Sequence, residues 1–203
     1  MKSDFCASRE NLVLVELMRG DFAAAGERAA EVRRDSVCGD SMATRLDCRV
    51  NAWRAAGEGR SGDVLAGGEP CRDAGDLQVI AAWAAWKLGR PEVAAEIAEK
   101  LESYGGRDDP MLRPVLDHLA AVGLLFGGDP AGAAERFRAA DQALQYRSQQ
   151  WVFKLFNRLA LAAALEAAGR ADDAAAILAE IDRVNPRLRA DGALRPPGVA
   201  AAR

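Results

Sequence analysis

Few side chains of the types that perform chemistry occur together in this chain. His118 is the only histidine and no two cysteines have the Cys-x-x-Cys spacing, so neighbouring residues do not form a set of zinc ligands. The Gly67-Gly68 and Gly127-Gly128 pairs lack the lysine and the hydroxyl residue of a phosphate-binding loop. No serine has the sequence context of a nucleophile turn. These observations predict a protein that is not an enzyme and that carries no cofactor or metal.

Four cysteines, at positions 6, 38, 48 and 71, leave two interpretations open. In the first, all four are free thiols that behave as small apolar side chains. In the second, Cys38 and Cys48 form a disulfide across a turn between two helices. The second interpretation requires an oxidising compartment, because disulfides do not persist where thiols are kept reduced.

The overall composition describes a helical, acidic chain that can bury one substantial core. Half of the 203 residues are hydrophobic, and alanine is far more frequent than aromatic residues, which favours close-packed helices. The net charge of −3 and the lack of an evident basic face argue against direct binding of nucleic acid. No apolar run approaches the roughly 20 residues of a membrane-spanning helix. The opening MKSDFCASRE lacks the apolar segment of a signal peptide, so we expect a cytoplasmic location and no membrane insertion.

The recurring element is a tight turn between two alanine-rich segments. In LFGGDPAGAAERFRAA, residues 125–140, Gly128 suits the left-handed end of one helix. Asp129 suits the cap of the next helix, and Pro130 suits its first position. Related turns place successive glycines 37, 32, 39 and 41 residues apart, which is typical of helical repeat proteins. The other four turn glycines are Gly20, Gly57, Gly89 and Gly169.

Small residues keep fixed distances from these glycines. The residues five positions after the turn glycine are Ala25, Gly62, Ala94, Ala133 and Ala174. The residues seven positions before it are Val13, Val50, Ala82, Ala121 and Ala162. Small side chains at both places allow the two helices of a hairpin to approach closely.

This pattern resembles the tetratricopeptide repeat family from about Asn11 to Pro186. The first consensus aromatic residue of the family is missing, whereas Trp53 falls where the family has a packing aromatic residue. The glycines of the second repeat predict a short or distorted helix near residues 60–67. The long spacings are more similar to those of repeats attached to some bacterial signalling and transcription regulators. The last repeat carries the best match to the family's small, glycine, small, apolar, apolar and proline positions, with Ala162, Gly169, Ala174, Leu178, Ile181 and Pro186.

The resemblance implies an all-α fold, a right-handed α-solenoid of about five antiparallel helix hairpins within residues 1–186. Residues 187–203 contain two adjacent prolines and no apolar period, so we expect a flexible basic tail there. Turn chemistry and apolar spacing predict helices near residues 9–19, 22–35, 42–56, 60–67, 76–88, 91–104, 111–127, 130–145, 149–168 and 171–184.

The resemblance also implies a concave groove lined by the first helix of each hairpin. Trp83 and Trp86 share a helix face because they are three residues apart. They form either an aromatic binding platform or part of the core. His118, without a companion ligand, is expected to be an ordinary helix residue. Mapped onto the turn glycines, the family geometry predicts partner contacts at Asn51, Arg54, Trp83, Trp86, Lys87, His118, Val122 and Leu125.

Together these features predict a non-enzymatic scaffold or adaptor that binds a peptide or helical segment of a partner protein in the groove. The alternative is an effector-sensing regulatory domain of a bacterial signalling or transcription system, which binds a small molecule or short peptide. Trp151, Phe153 and Phe156 recur at helical spacing, so a homodimer or a place in a larger complex also stays open.

Overall fold

The computed structural model describes residues 2–35, 37–67, 75–105, 109–110, 112–144 and 150–184. These residues form helices and turns without any strand, which confirms the all-α class. The predicted tail, residues 187–203, lies outside the described residues. The helices of the described residues are α1 Lys2–Met18, α2 Phe22–Arg34, α3 Asp40–Gly57, α4 Ser61–Ala66, α5 Gly75–Lys87, α6 Pro91–Gly105, α7 Arg113–Phe126, α8 Pro130–Ala143, α9 Gln150–Ala167 and α10 Ala171–Val184.

The helix bounds confirm the sequence-based prediction except at the start of the chain. Helix α4 has only six residues, as the glycines of this segment predicted. Helix α1 begins at Lys2, well before the predicted start near residue 9. Contacts with distant residues hold these extra turns, because Cys6 is bonded to Cys38 and Glu10 accepts a hydrogen bond from Arg49 at 2.6 Å. Neither contact leaves a local pattern in the sequence of α1.

Five hairpin turns share one hydrogen-bonding scheme. In each turn a glycine with positive φ donates its amide to the carbonyl three residues earlier. The amide of the next residue donates to the carbonyl five residues earlier, which satisfies the last carbonyls of the preceding helix. The left-handed conformation explains why glycine occupies this position. The five glycines are Gly20, Gly59, Gly89, Gly128 and Gly169.

The structure places the second turn glycine two residues later than the sequence-based prediction. The predicted turn glycine, Gly57, is the last residue of α3, and Gly59 has the positive φ of +74°. The residue five positions later is therefore Val64, which is buried, and not Gly62. With this shift the second hairpin follows the same spacing rule as the other four.

Each helix among the described residues packs against its neighbours in sequence. The odd-numbered helices also pack against one another, α1 on α3, α3 on α5, α5 on α7 and α7 on α9. Fully buried Ala25, Ala133 and Ala174 allow the close approach that the sequence predicted. Helices α5 and α9 contribute to both hydrophobic clusters of the core, so they join the two halves of the molecule. None of the described helices has the length and apolar character needed to cross a membrane.

The cysteines correct both interpretations drawn from the sequence. Cys6 of α1 and Cys38 of the α2–α3 loop form a disulfide, with Cα atoms 5.6 Å apart. Cys48 is also disulfide-bonded, and Cys71 lies outside the described residues. Cys38 is therefore neither free nor paired with Cys48. Helix α1 brings Cys6 beside the loop that carries Cys38. Cys48 lies about 12 Å along the axis of α3 from Asp40, the first residue of that helix, so it is too far along α3 to pair with Cys38.

Candidate functional site

A chain of buried hydrogen bonds connects four helices in the middle of the core. Trp83 of α5 donates from Nε1 to Nε2 of His118 at 3.1 Å. The His118 Nδ1 lies 2.9 Å from Oδ1 of Asn157, and the Asn157 side-chain amide donates to the carbonyl of Phe137 at 2.8 Å. One arrangement of protons satisfies all three bonds, with the imidazole neutral and its proton on Nδ1. The chain thus fixes α5, α7, α8 and α9 to one another.

Burial makes His118 a structural residue. Its side chain is fully buried, and the rings of Phe137, Phe153 and Phe156 lie with centroids 5.1, 5.1 and 5.5 Å from the imidazole. Burial lowers the pKa of His118 to about 4, against the smaller opposing effect of its hydrogen bond to Asn157. A neutral imidazole sealed from solvent cannot exchange protons with a ligand bound at the surface.

Acidification is expected to destabilise the fold through His118. The unfolded chain takes up this proton near pH 6.5, whereas the folded protein resists it down to about pH 4. Stability is therefore full above pH 6.5 and falls as the pH drops towards 4, by about 3 kcal/mol in total. Urea unfolding at a series of pH values measures this loss.

The matched variant for this experiment is His118→Gln, which keeps a polar side chain but has no proton to gain. Its unfolding free energy at neutral pH is expected to be lower than that of the wild type, because the hydrogen-bond chain is altered. Its further loss between neutral pH and about pH 4.5 should be smaller by roughly 2 to 3 kcal/mol. Equal losses in both proteins would contradict the role given to His118.

Part of the face predicted to line a concave groove is buried, whereas Asn51 and Lys87 of that face are exposed. Six residues before each turn glycine, the odd-numbered helices carry a side chain that points into the core. Phe156 of α9 lies against this face, with its ring centroid 6.3 Å from Trp53 and 5.2 Å from Trp83. The core position predicted for Trp53 is confirmed. The five buried side chains are Leu14, Trp53, Trp83, Val122 and Ala163.

The predicted partner-binding residues therefore fall into three groups. Trp83, His118 and Val122 are buried and present no surface to a partner in this conformation. Two residues that the sequence-based prediction did not include contact these predicted residues. Asn157 is hydrogen-bonded to His118, and Phe126 stacks on Trp86. The positions of these two residues along their helices resemble those of ordinary core residues, so their spacing did not identify them as contacts of the predicted residues. Of the remaining predicted residues, Arg54, Trp86 and Leu125 are half-buried, whereas Asn51 and Lys87 are exposed.

One surface combines aromatic rings with a cation at the carboxyl ends of α5 and α7. Trp86 stacks on Phe126, with centroids 6.0 Å apart and planes 19° apart, and both rings are half-buried. Lys87 makes no ion pair within the described part of the chain, and partial desolvation lowers the pKa of its ammonium group. We name this the edge surface, formed by Trp86, Lys87, Leu125 and Phe126.

Gly123 explains how the indole of Trp86 lies so close to α7. A Cβ atom at position 123 would come within 3.2 Å of the Trp86 ring. Glycine therefore leaves room for the ring against the backbone of α7, and the ring can lie beside Phe126. The pairs Trp83–His118 and Trp86–Phe126 also show that α5 and α7 run in the same direction.

A cavity of about 310 Å³ lies between α3, α4 and α5. Arg54 and Asn51 of α3 line it together with the apolar side chains of Val64, Leu77 and Ala81. Two of the predicted partner-binding residues thus border a cavity that does not include the residues of the edge surface. Within the described residues, no group of three or more histidine, cysteine or acidic side chains is placed to hold a metal ion.

No family model, curated protein or solved structure matches this chain.

Proposed function

We propose that the protein is a non-enzymatic scaffold whose helix hairpins form a right-handed, tetratricopeptide-like superhelix and which binds a segment of a partner protein. Two observations support the architecture. The five hairpin turns have the same hydrogen bonds, and the odd-numbered helices pack on one another in order. The binding function rests on one observation, the edge surface with its half-buried aromatic pair and with Lys87, which makes no ion pair to any residue that the structure describes.

The chemistry of the edge surface favours an apolar side chain next to a carboxylate as the recognised feature. Trp86 and Phe126 present ring surface that a partner's apolar side chain can cover, and aromatic residues dominate the binding energy of many interfaces. Lys87 is partly desolvated and has no ionic partner among the described residues, so a carboxylate brought beside it gains a charge-assisted contact. We expect the partner segment to carry both groups on one face.

The test is capture of partner proteins from the native host with the tagged wild type and three variants. Lys87→Glu reverses the charge of the edge surface, and Trp86→Ala removes the outer ring of the aromatic pair. Lys100→Glu is the matched control, because Lys100 is an exposed lysine on α6 outside the edge surface. A specific partner is expected to fall by about tenfold or more with Lys87→Glu and to persist with Lys100→Glu.

A partner that all three folded variants retain equally would reject the edge surface as the binding site. Far-ultraviolet circular dichroism separates this result from loss of folding, since the exposed lysine can change without loss of core packing. Loss of the partner with Lys100→Glu as well would indicate that net charge alone governs capture.

The cavity beside α4 supports a second candidate function, that of an effector-responsive regulatory domain. Its volume of about 310 Å³ is at the lower end of the range for small-molecule sites. A ligand there would contact α3, α4 and α5 at once, and α5 also carries Trp86 and Lys87 of the edge surface.

A further inference from the structure

We propose that the cavity between α3, α4 and α5 binds a small carboxylic acid with a short apolar tail. This inference rests on the second candidate function and not on the scaffold function. It gives the effector a chemical class, which follows from the shape and charge of the cavity walls.

The apolar wall comes from helices on both sides of the cavity. Leu77 and Ala81 of α5 face it from one side, and Val64 of α4 faces it from another. These three side chains are buried and belong to the hydrophobic cluster of the first half of the molecule. The small size of the alanines leaves the space open. A short hydrocarbon tail would lose contact with water here, at roughly 25 cal/mol per Å² of apolar surface.

The polar wall carries one cation without an acidic partner among the described residues. Arg54 lines the cavity, and its Nη2 donates to the carbonyl of Phe22 of α2 at 3.3 Å, which leaves its remaining N–H groups without a partner in the described chain. Asn51 lies one helix turn earlier and adds an exposed amide. The other cation, Arg60, is already paired with Glu58 and Asp63.

The side chains of the cavity wall favour a carboxylate over other charged ligands. A guanidinium binds a carboxylate through two parallel N–H bonds, and the Asn51 amide can donate a third. A phosphate carries more charge than Arg54 compensates, and an amine meets only the Asp63 carboxylate, which Arg60 already pairs. A monocarboxylate with an apolar tail satisfies both walls.

The experiment titrates the full chain with butyrate, isovalerate and hexanoate and, in parallel, with the primary amide of each acid. Calorimetry measures binding, and the thermal midpoint measures stabilisation by the ligand. At least one acid is expected to bind and to raise the midpoint, whereas its amide binds at least tenfold more weakly. Acids and amides that bind equally, or acids that do not bind at millimolar concentration, would overturn the proposal.

Two variants locate the bound acid. Arg54→Gln removes the charge, and a tenfold or larger loss of affinity is expected. Ala52→Leu extends a side chain into the cavity and should block the tail while Arg54 stays in place. The matched control is Arg28→Gln, an exposed arginine of α2 that does not line the cavity. Wild-type affinity in folded Arg54→Gln and Ala52→Leu would place the acid elsewhere and overturn the assignment.

Failure of this proposal and failure of the scaffold function give different results. Trp86 and Lys87 do not line the cavity, so their variants should bind the acid as the wild type does. Loss of acid binding in Arg54→Gln with unchanged partner capture would support the cavity site independently of the edge surface.

Discussion

Trp83→Ala is expected to lower the free energy of unfolding by about 3 to 5 kcal/mol, the usual loss when a buried tryptophan is truncated. The Trp83 side chain is 6 % exposed, packs against Phe156 and donates to His118. The substitution leaves a large cavity and also removes the donor that satisfies His118 Nε2. Urea unfolding followed by circular dichroism at neutral pH measures the loss.

Trp86→Ala is the matched control, since it removes the same side chain three residues later on the same helix. Trp86 is half-buried, stacks on Phe126 and packs at the margin of the second hydrophobic cluster, so we expect less than half the destabilisation of Trp83→Ala. The two tryptophans thus have different roles, although the sequence presents them as one pair. Similar small losses for both variants would mean that Trp83 is not a core residue and would reopen the predicted groove.

The hairpins could be predicted from the sequence because their determinants lie within a few residues of one another. The Asp129 carboxylate accepts from the amide of Gly132 at 2.9 Å, and Asp21 caps α2 in the same way through Ala24. Proline at the first position of α8 and the left-handed Gly128 complete the local set. Such interactions fix where helices begin and end whatever surrounds them.

The accessibility of the predicted binding residues could not be predicted in this way. Whether Trp83 lines a groove or a core depends on Phe156, which approaches it from a helix far along the chain. The turn at Gly59 shows the same limit on a smaller scale, because Gly57 and Gly59 both suit a helix end. The choice depends on where the packing of α3, including buried Trp53 and Ala55, ends. Contacts of this kind have no fixed spacing, so a pattern read along one chain does not reveal them.

Replacing Cys6 and Cys38 with alanine is expected to cost about 3 to 4 kcal/mol of stability. The disulfide closes a loop between residues separated by 32 positions, and a loop of that length removes this much conformational entropy from the unfolded chain. Cys6 is also buried, so the bond secures the first turns of α1, which no local signal predicts. Because disulfides persist only where thiols are not kept reduced, this contribution to stability is expected under oxidising conditions.

Single and double variants distinguish the covalent bond from ordinary packing. If the two sulfurs are bonded, Cys6→Ala, Cys38→Ala and the double variant should each lose nearly the same stability, because either change removes the whole link. If the two thiols are not bonded and only pack against neighbouring side chains, each single variant loses less stability, and the two losses add in the double variant. Urea unfolding without reductant gives the three values. Because reductant also breaks the second disulfide, at Cys48, the wild type and the variants are all measured again with reductant, which should remove the difference between them. Additive losses that reductant does not change would contradict a Cys6–Cys38 bond.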